Sequence, residues 1–311
     1  MEADTSSKPD PAKVSHTAVL CAKQLAEESN VPYANEIWQK LKSYDSEVVK
    51  EGKGRINDVF RRLMTYIPGM SGIRTILEGR YIAVNRALDF EENPHVMELA
   101  AGLSPRGLDF TIRDPNQIYI ETDLAGLQEI KREIADNIRK DEGLAGLAST
   151  PNYHLVPLNA VDRKQFVAAA KPYAESARDK PLAIVHAGLF PYLDRDEQRL
   201  TRDNIAHVLS EYSPEGMWIT PDMALNRDQV MANPLMKWRI KKLERKTGRK
   251  FSFFESDEET REFLAEGGFR TEVIPSYEWA GDLSCVKTLG LNPQKVREKS
   301  NVYNTHKMKL N

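Results

Sequence analysis

The sequence predicts an α/β protein with a mostly parallel sheet covered by helices on both sides, and three observations carry that prediction. Short apolar runs of strand length recur at HVMELAAGL, QIYIETDL, YHLVPLN, PLAIVHAGL and GMWITPDM. Longer segments with apolar residues at helical spacing fall between or after them, such as LQEIKREIADNIRK, QFVAAAKPYAE and DNIAHVLSEY. The strand runs are near-continuously apolar rather than alternating, which suits strands buried on both faces. The chain has 311 residues, 41% of them hydrophobic and 29% charged, a balance that fits a folded globular chain of one large or two smaller domains.

The N-terminal third reads as helical. MEADTSSKPDPAK is polar and lacks apolar periodicity, so residues 1–15 are expected to form a flexible tail. Val19, Leu20, Leu25 and Ala26 then mark one helix and Ile37, Trp38 and Leu41 a second, with a break near Asn30 and Pro32. INDVFRRLMTYIPG aligns Ile56, Val59, Phe60, Leu63 and Met64 on a third, and a further helix is expected from Gly72 to about Leu88. These helices make a cap over 16–90, followed by a core over 91–225. Residues 226–260 contain the basic run KWRIKKLERKTGRK, read as a helical insertion at the mouth of a site or simply as a solvated helical face. Residues 261–311 complete the core, with helix, glycine turn and strand in ETREFLAEGGFRTEVIPS and an antiparallel last strand at LSCVKTLGL.

Charge and cysteine usage exclude several function classes. The 44 Lys and Arg nearly balance 46 Asp and Glu, a net charge of -2, so no global positive field argues for a nucleic-acid partner. Cys21 and Cys285 are too few for a disulfide framework or a cysteine-only zinc site. The six histidines form no HExxH or comparable ligand cluster, and no required metal is expected. Apolar runs stay short of the roughly 18 residues of a membrane span, and nothing at the N-terminus reads as a signal peptide. A cytoplasmic protein without membrane or nucleic-acid partners is the expectation, with the oligomeric state left open.

The strongest local pattern is VMELAAGLSPRGLDF followed by QIYIETDLAGL. Small residues after the first strand let backbone amides approach a ligand, and an acidic residue after the second can accept hydrogen bonds from ribose hydroxyls. The combination points to a nucleoside cofactor. The loop has neither a full GxGxxG fingerprint nor the GxxxxGK context, which weakens NAD and ATP.

On these residues the chain resembles class I S-adenosylmethionine-dependent methyltransferases, within the leucine carboxyl methyltransferase and polyketide O-methyltransferase superfamily. Glu98, Ala100 and Gly102 match the family's acidic residue and alternating glycines, with alanine at the first glycine position. Ser104, Pro105 and Arg106 correspond to a segment where the family often has Asp-Thr-Arg. IPGMSGIRTILEGRYI resembles the arginine segment lying over the cofactor, which makes Arg74 the preferred clamp for the methionyl carboxylate and Arg80 its competitor. Asp123 is the implied ribose ligand, with Glu121 as a rival on the same strand face. Asn159 stands where the family has an aspartate near adenine, and Ala187 where it has a glutamate toward the methionyl ammonium.

The resemblance covers roughly residues 50–290. It implies a Rossmann-like methyltransferase fold with a mostly parallel seven-stranded sheet and a helical substrate cap. It implies S-adenosylmethionine as cofactor and O-methylation of a small-molecule carboxylate or hydroxyl, or of an exposed protein carboxyl terminus. A noncatalytic S-adenosylmethionine-binding protein and an NAD-dependent oxidoreductase are the alternatives. His186 and Tyr192 lie at the fourth strand end, where an open sheet presents its crevice, and are the candidates to take a proton from the acceptor, orient it or wall it in. Trp218 and Asp222 flank the fifth strand end, where core packing and turn capping account for them. Trp238 is read as an aromatic wall of the acceptor site or an apolar anchor.

Overall fold

The computed structural model describes residues 11–43, 75–88, 94–144, 146, 151–176, 180–224, 227 and 234–311. Its centre is a seven-stranded sheet of order β3-β2-β1-β4-β5-β7-β6. The strands are β1 His95–Leu99, β2 Tyr119–Asp123, β3 Tyr153–Pro157, β4 Leu182–His186, β5 Met217–Thr220, β6 Phe269–Ile274 and β7 Thr305–Leu310. The first five pair in parallel, whereas β7 runs antiparallel to both β5 and β6. The expected mostly parallel seven-stranded sheet with helices on both faces is the observed one.

Alternation along the strands divides the core. Val96, Tyr119, Val185 and Ile219 face one way, against helices α1 (Pro11–Glu28), α2 (Ala34–Ser43), α3 (Ile76–Ala87), α4 (Arg106–Arg113) and α5 (Ala125–Asp141). Met97, Ile120, Ile184 and Trp218 face the other way, against α6 (Arg163–Ser176), α7 (Arg195–Tyr212) and α9 (Asp257–Glu266). The period of two of a strand sends successive side chains to opposite faces, so β1, β2, β4 and β5 each contribute to both layers. Helix α5 shows the matching 3.6 period, burying Leu127, Ile134 and Ile138 on one stripe. Helix α7 starts on a capping box in which Asp194 accepts from the Glu197 amide and Glu197 accepts from that of Asp194.

Three expectations change. The first helix already begins at Pro11, inside the segment read as a tail; proline fits a first helical turn because its missing N–H would have no intrahelical acceptor there. LSCVKTLGL is not a strand: Ser284–Thr288 forms a short helix, α11, following the one-turn helix α10 (Tyr277–Ala280). Both oxygens of the buried Glu78 carboxylate on α3 accept the Ser284 and Cys285 amides, at 2.8 and 2.7 Å, so a partner more than 200 residues away holds the first turn. The antiparallel strand is instead THKMKL, where Thr305 and Met308 are buried and His306 and Lys307 lie between them. The helix expected over INDVFRRLMTYIPG lies outside the described residues. The basic insertion does form a helix, α8 (Pro234–Thr247), and its Trp238 is 52% exposed.

Candidate functional site

The parallel strands end along one edge, and the chain turns there differently after each. After β1, Ala100 and Gly102 both adopt left-handed backbone, with φ of 49° and 56°. This folds the loop back so that the Ala101 amide donates to the Thr122 carbonyl of β2 at 2.9 Å. A left-handed conformation suits glycine and costs an L-residue about 1–2 kcal/mol. Ala100→Gly is therefore expected to stabilise the protein by up to about 1 kcal/mol once the extra freedom of glycine in the unfolded chain is offset, read from a denaturant midpoint.

Asp123, at the end of β2, faces this loop. Its carboxylate accepts the Gly102 amide at 2.7 Å and the Leu124 amide at 2.7 Å. Burial raises its carboxyl above the usual range, and the two amides pull it back down. The arrangement brings Asp123 and Gly102, 21 residues apart, into one cradle. Helix α1 lies across it: a Cβ placed on Gly102 would meet the Ala18 methyl at 3.5 Å.

Glu98 and Arg106 point into the same side of the sheet but form a sealed pair. The Arg106 guanidinium is ion-paired with Glu98, donates to Asn85 Oδ1 at 2.7 Å and lies over the Tyr81 ring. The Tyr119 hydroxyl donates to the second Glu98 oxygen at 2.7 Å. Both ionic side chains are almost fully buried, so they brace the first loop from beneath and join it to α3. Ser104 caps the following turn, accepting the Arg106 amide at 3.3 Å. Glu121, the rival of Asp123, is ion-paired with the buried Lys131 of α5 and accepts the Gly107 amide at 3.1 Å. Burial lifts its carboxyl above the usual range, to about 7. It lies below the crevice, wholly inside the protein.

Asn159, just past β3, is exposed at the opposite side of the cradle, and its Oδ1 accepts the Val161 amide at 3.4 Å. Its carboxamide is therefore turned partly toward its own loop, as an Asn in a turn commonly is.

After β4 the organising group is Asp222. Its carboxylate accepts from the Gly188, Leu189 and Phe190 amides at 2.6, 2.8 and 3.0 Å, from Arg80 Nη2 at 2.8 Å, and from His186 Nδ1 at 2.9 Å. It is fully buried, yet the Arg80 guanidinium, His186 and the backbone donors hold its carboxyl well below the usual range against the opposing effect of burial. This hub fixes the 187–190 turn and ties α3 to the ends of β4 and β5. The sequence alone suggests only a turn-capping part for Asp222. The available signal is an acid at the end of a strand facing a Gly-containing turn, but its partners come from residues 32 to 142 positions away.

His186 extends to the face opposite Val185 and Ala187. Its ring is fully buried, stacked on Phe190 at 4.7 Å and close to Trp218 at 5.8 Å, and Nε2 is enclosed without a hydrogen-bond partner. Trp218 packs in the core. Ala187 remains half-buried and packs against the layer that contains Val19 and Val84.

Tyr192 lies in a short 3-10 turn, Phe190–Tyr192, with its ring against Phe251 at 4.6 Å. Burial pushes its phenol up to about 12, with the nearby Cys21 adding to the shift and a hydrogen bond with Thr17 opposing it. The turn is strapped from outside, since Ser252 N donates to the Pro191 carbonyl at 2.9 Å and Arg249 Nη1 to the Tyr192 carbonyl at 3.0 Å. Tyr192 thus meets α1, the post-β4 turn and the segment after α8 at one place. Arg74 lies outside the described residues; Arg80 is at the site, committed to Asp222 through Nη2. Among the described residues no group of three or more His, Cys, Asp or Glu is placed to hold a metal, and no helix is long and apolar enough to cross a membrane.

No protein-family model matches the chain, and no curated protein matches it. Solved structures do. A putative methyltransferase from Thermobifida fusca YX superposes with a TM-score of 0.52 at 14% identity, covering 98% of this chain and 95% of that one. A duf574 family protein from Streptomyces avermitilis gives a TM-score of 0.52 at 12% identity, over 95% of this chain and 97% of that one. At such identities the likeness is one of fold, and it agrees with the strand order and the antiparallel β7: the chain has the Rossmann-like methyltransferase fold.

Proposed function

We propose that the protein is an S-adenosylmethionine-dependent O-methyltransferase, and the cradle of Asp123 and Gly102 is the observation that carries this reading. In open α/β sheets ligands bind outside the carboxyl ends of the strands where the strand order reverses, here between β1 and β4. A nucleoside fits the groups present. Asp123 supplies acceptor lone pairs for the ribose hydroxyls, the small residues at 100–102 admit close approach of the backbone, and Asn159 offers a carboxamide on the adenine side. When bound, the cofactor would supply an electrophilic methyl group.

The chain's own residues would then orient an acceptor and exclude water. The Asp222 hub holds the 187–190 turn, and Tyr192 with Phe251 walls the space beneath α1. His186 is enclosed behind β4, which suits a positioning part better than direct proton transfer. The Tyr192 phenol, pushed up to about 12, remains protonated near neutral pH and can donate a hydrogen bond. Neither group offers an accessible base, which favours an acceptor that is already ionised, a carboxylate, over a hydroxyl. The acceptor is a small molecule in this reading, with an exposed protein carboxyl terminus as the larger variant, and the setting is cytoplasmic.

Calorimetric titration of the purified protein with S-adenosylmethionine, S-adenosylhomocysteine and NAD tests the cofactor. Binding of the first two without NAD is the expected result, and selective NAD binding overturns the proposal. A panel of carboxylates and phenols, followed by release of S-adenosylhomocysteine, then sorts the acceptor class.

A further inference from the structure

Strand β6 ends the sheet, and Arg270, Thr271, Glu272 and Val273 are all exposed, covering both faces of the strand. Val273 is 50% exposed. Among the described residues no segment pairs with its outer edge, and such an edge presents a row of unpaired amides and carbonyls, which folded proteins blunt with charges, cover or pair. Which residues turn their backbone outward follows from β7. The Asn311 amide donates to the Gly268 carbonyl at 3.0 Å, one position beyond the pair Phe269 and Leu310. Antiparallel ladders alternate, so 268, 270, 272 and 274 direct their backbone groups to β7, and Phe269, Thr271 and Val273 direct theirs to the open edge.

We propose that β6 is a self-association strand: β6 of one molecule pairs antiparallel with β6 of a second copy, about a two-fold axis at Thr271. A two-fold axis perpendicular to the sheet requires opposed residues to share a face, so the axis must pass through a residue position. Centred on Arg270 it would oppose two arginines, and centred on Glu272 two glutamates. Centred on Thr271 it opposes Arg270 of each copy to Glu272 of the other. The same choice makes Thr271 with Thr271, and Phe269 with Val273 in both directions, the hydrogen-bonded pairs, because these are the residues whose backbone groups face outward. Arg270 and Glu272 then fall at the narrowly spaced non-hydrogen-bonded positions, where side chains approach most closely.

Within one molecule Arg270 faces a cation across the ladder, Lys309, while Glu272 faces Lys307. A second Glu272 would give Arg270 the acid that its own sheet does not place opposite it. The charges that blunt the edge against unrelated strands are therefore complementary to a second copy in one register only. This inference is independent of the cofactor and of the reaction.

Sedimentation equilibrium of the full chain from low to high micromolar concentration is expected to show mass rising from the 35.3 kDa of one chain toward twice that value. Arg270→Glu should abolish the dimer; it places an acid opposite Lys309, so the monomer keeps its fold, checked by circular dichroism. The double variant Arg270→Glu with Glu272→Arg should restore it. Thr271→Cys should cross-link on oxidation, since residues opposed in a hydrogen-bonded pair lie within disulfide reach, whereas Thr271→Cys in the Arg270→Glu background should not. Monomer at every concentration, unchanged association in Arg270→Glu, or failure of the double variant to restore it would each overturn the proposal.

Discussion

Replacing Asp222 by asparagine is expected to lower the unfolding free energy by about 3–5 kcal/mol, the cost of removing one partner of a buried ionic pair. The side chain is fully buried and holds five donors, among them the guanidinium of Arg80 and three consecutive amides of the 188–190 turn. An asparagine retains one carbonyl acceptor but turns an N–H₂ group toward some of these donors and leaves Arg80 without its counterion. Thermal or urea unfolding followed by circular dichroism measures the loss, and a change below about 1 kcal/mol would show that the hub is not a stability element. The pH dependence has a defined sign. The folded-state carboxyl lies below its ordinary 3.8, so its contribution is complete above that value and is lost as pH falls through it toward the depressed folded value. The gap between wild type and Asp222→Asn should accordingly be constant near neutrality and narrow under acid conditions. Arg80→Met should produce a loss of the same kind, because it uncovers the same buried charge from the other side.

The second large effect is expected on binding. On the proposed function, Asp123→Ala removes the charged acceptor for the ribose hydroxyls, and hydrogen bonds to an ionised group contribute about 1.5–3 kcal/mol, so affinity for S-adenosylmethionine should fall about 10- to 100-fold. The variant also frees the Gly102 and Leu124 amides, which loosens the loop between β1 and α4. Comparison with Glu121→Gln separates the two effects. Glu121 lies two residues earlier on the same strand face, but its partners are Lys131 and the Gly107 amide, inside the protein. Glu121→Gln should cost stability while affinity stays within about twofold of wild type. Equal loss of affinity in both variants would move the ribose contact away from Asp123.

Much of the architecture is legible in the sequence alone. The five parallel strands announce themselves as apolar runs followed by small or acidic residues, because a strand covered on both faces has no polar side to alternate with. Residues 100, 102 and 123 could be grouped for the same local reason: a turn that must reverse direction tightly uses small residues, and a strand-end acid stands beside it. The helical insertion at 234–247 was visible in its composition. The seventh strand was not. THKMKL carries four polar or charged residues among six and resembles a surface segment, whereas SCVKTL looks more apolar but is held as a helix by Glu78.

The sequence by itself determined the layers, the parallel core and the grouping of Asp123 with the 100–102 loop, since these depend on periodicity and turn chemistry within a few residues. Only the tertiary structure decided what the buried charges do. Glu98 could be placed at a strand end from the sequence, but its pairing with Arg106 and Tyr119, like the five donors around Asp222 and the enclosure of His186, arises where distant segments converge. The physical reason is that burying a charge is unfavourable until opposite charge and hydrogen-bond donors surround it, and no local pattern records which remote residues will supply them.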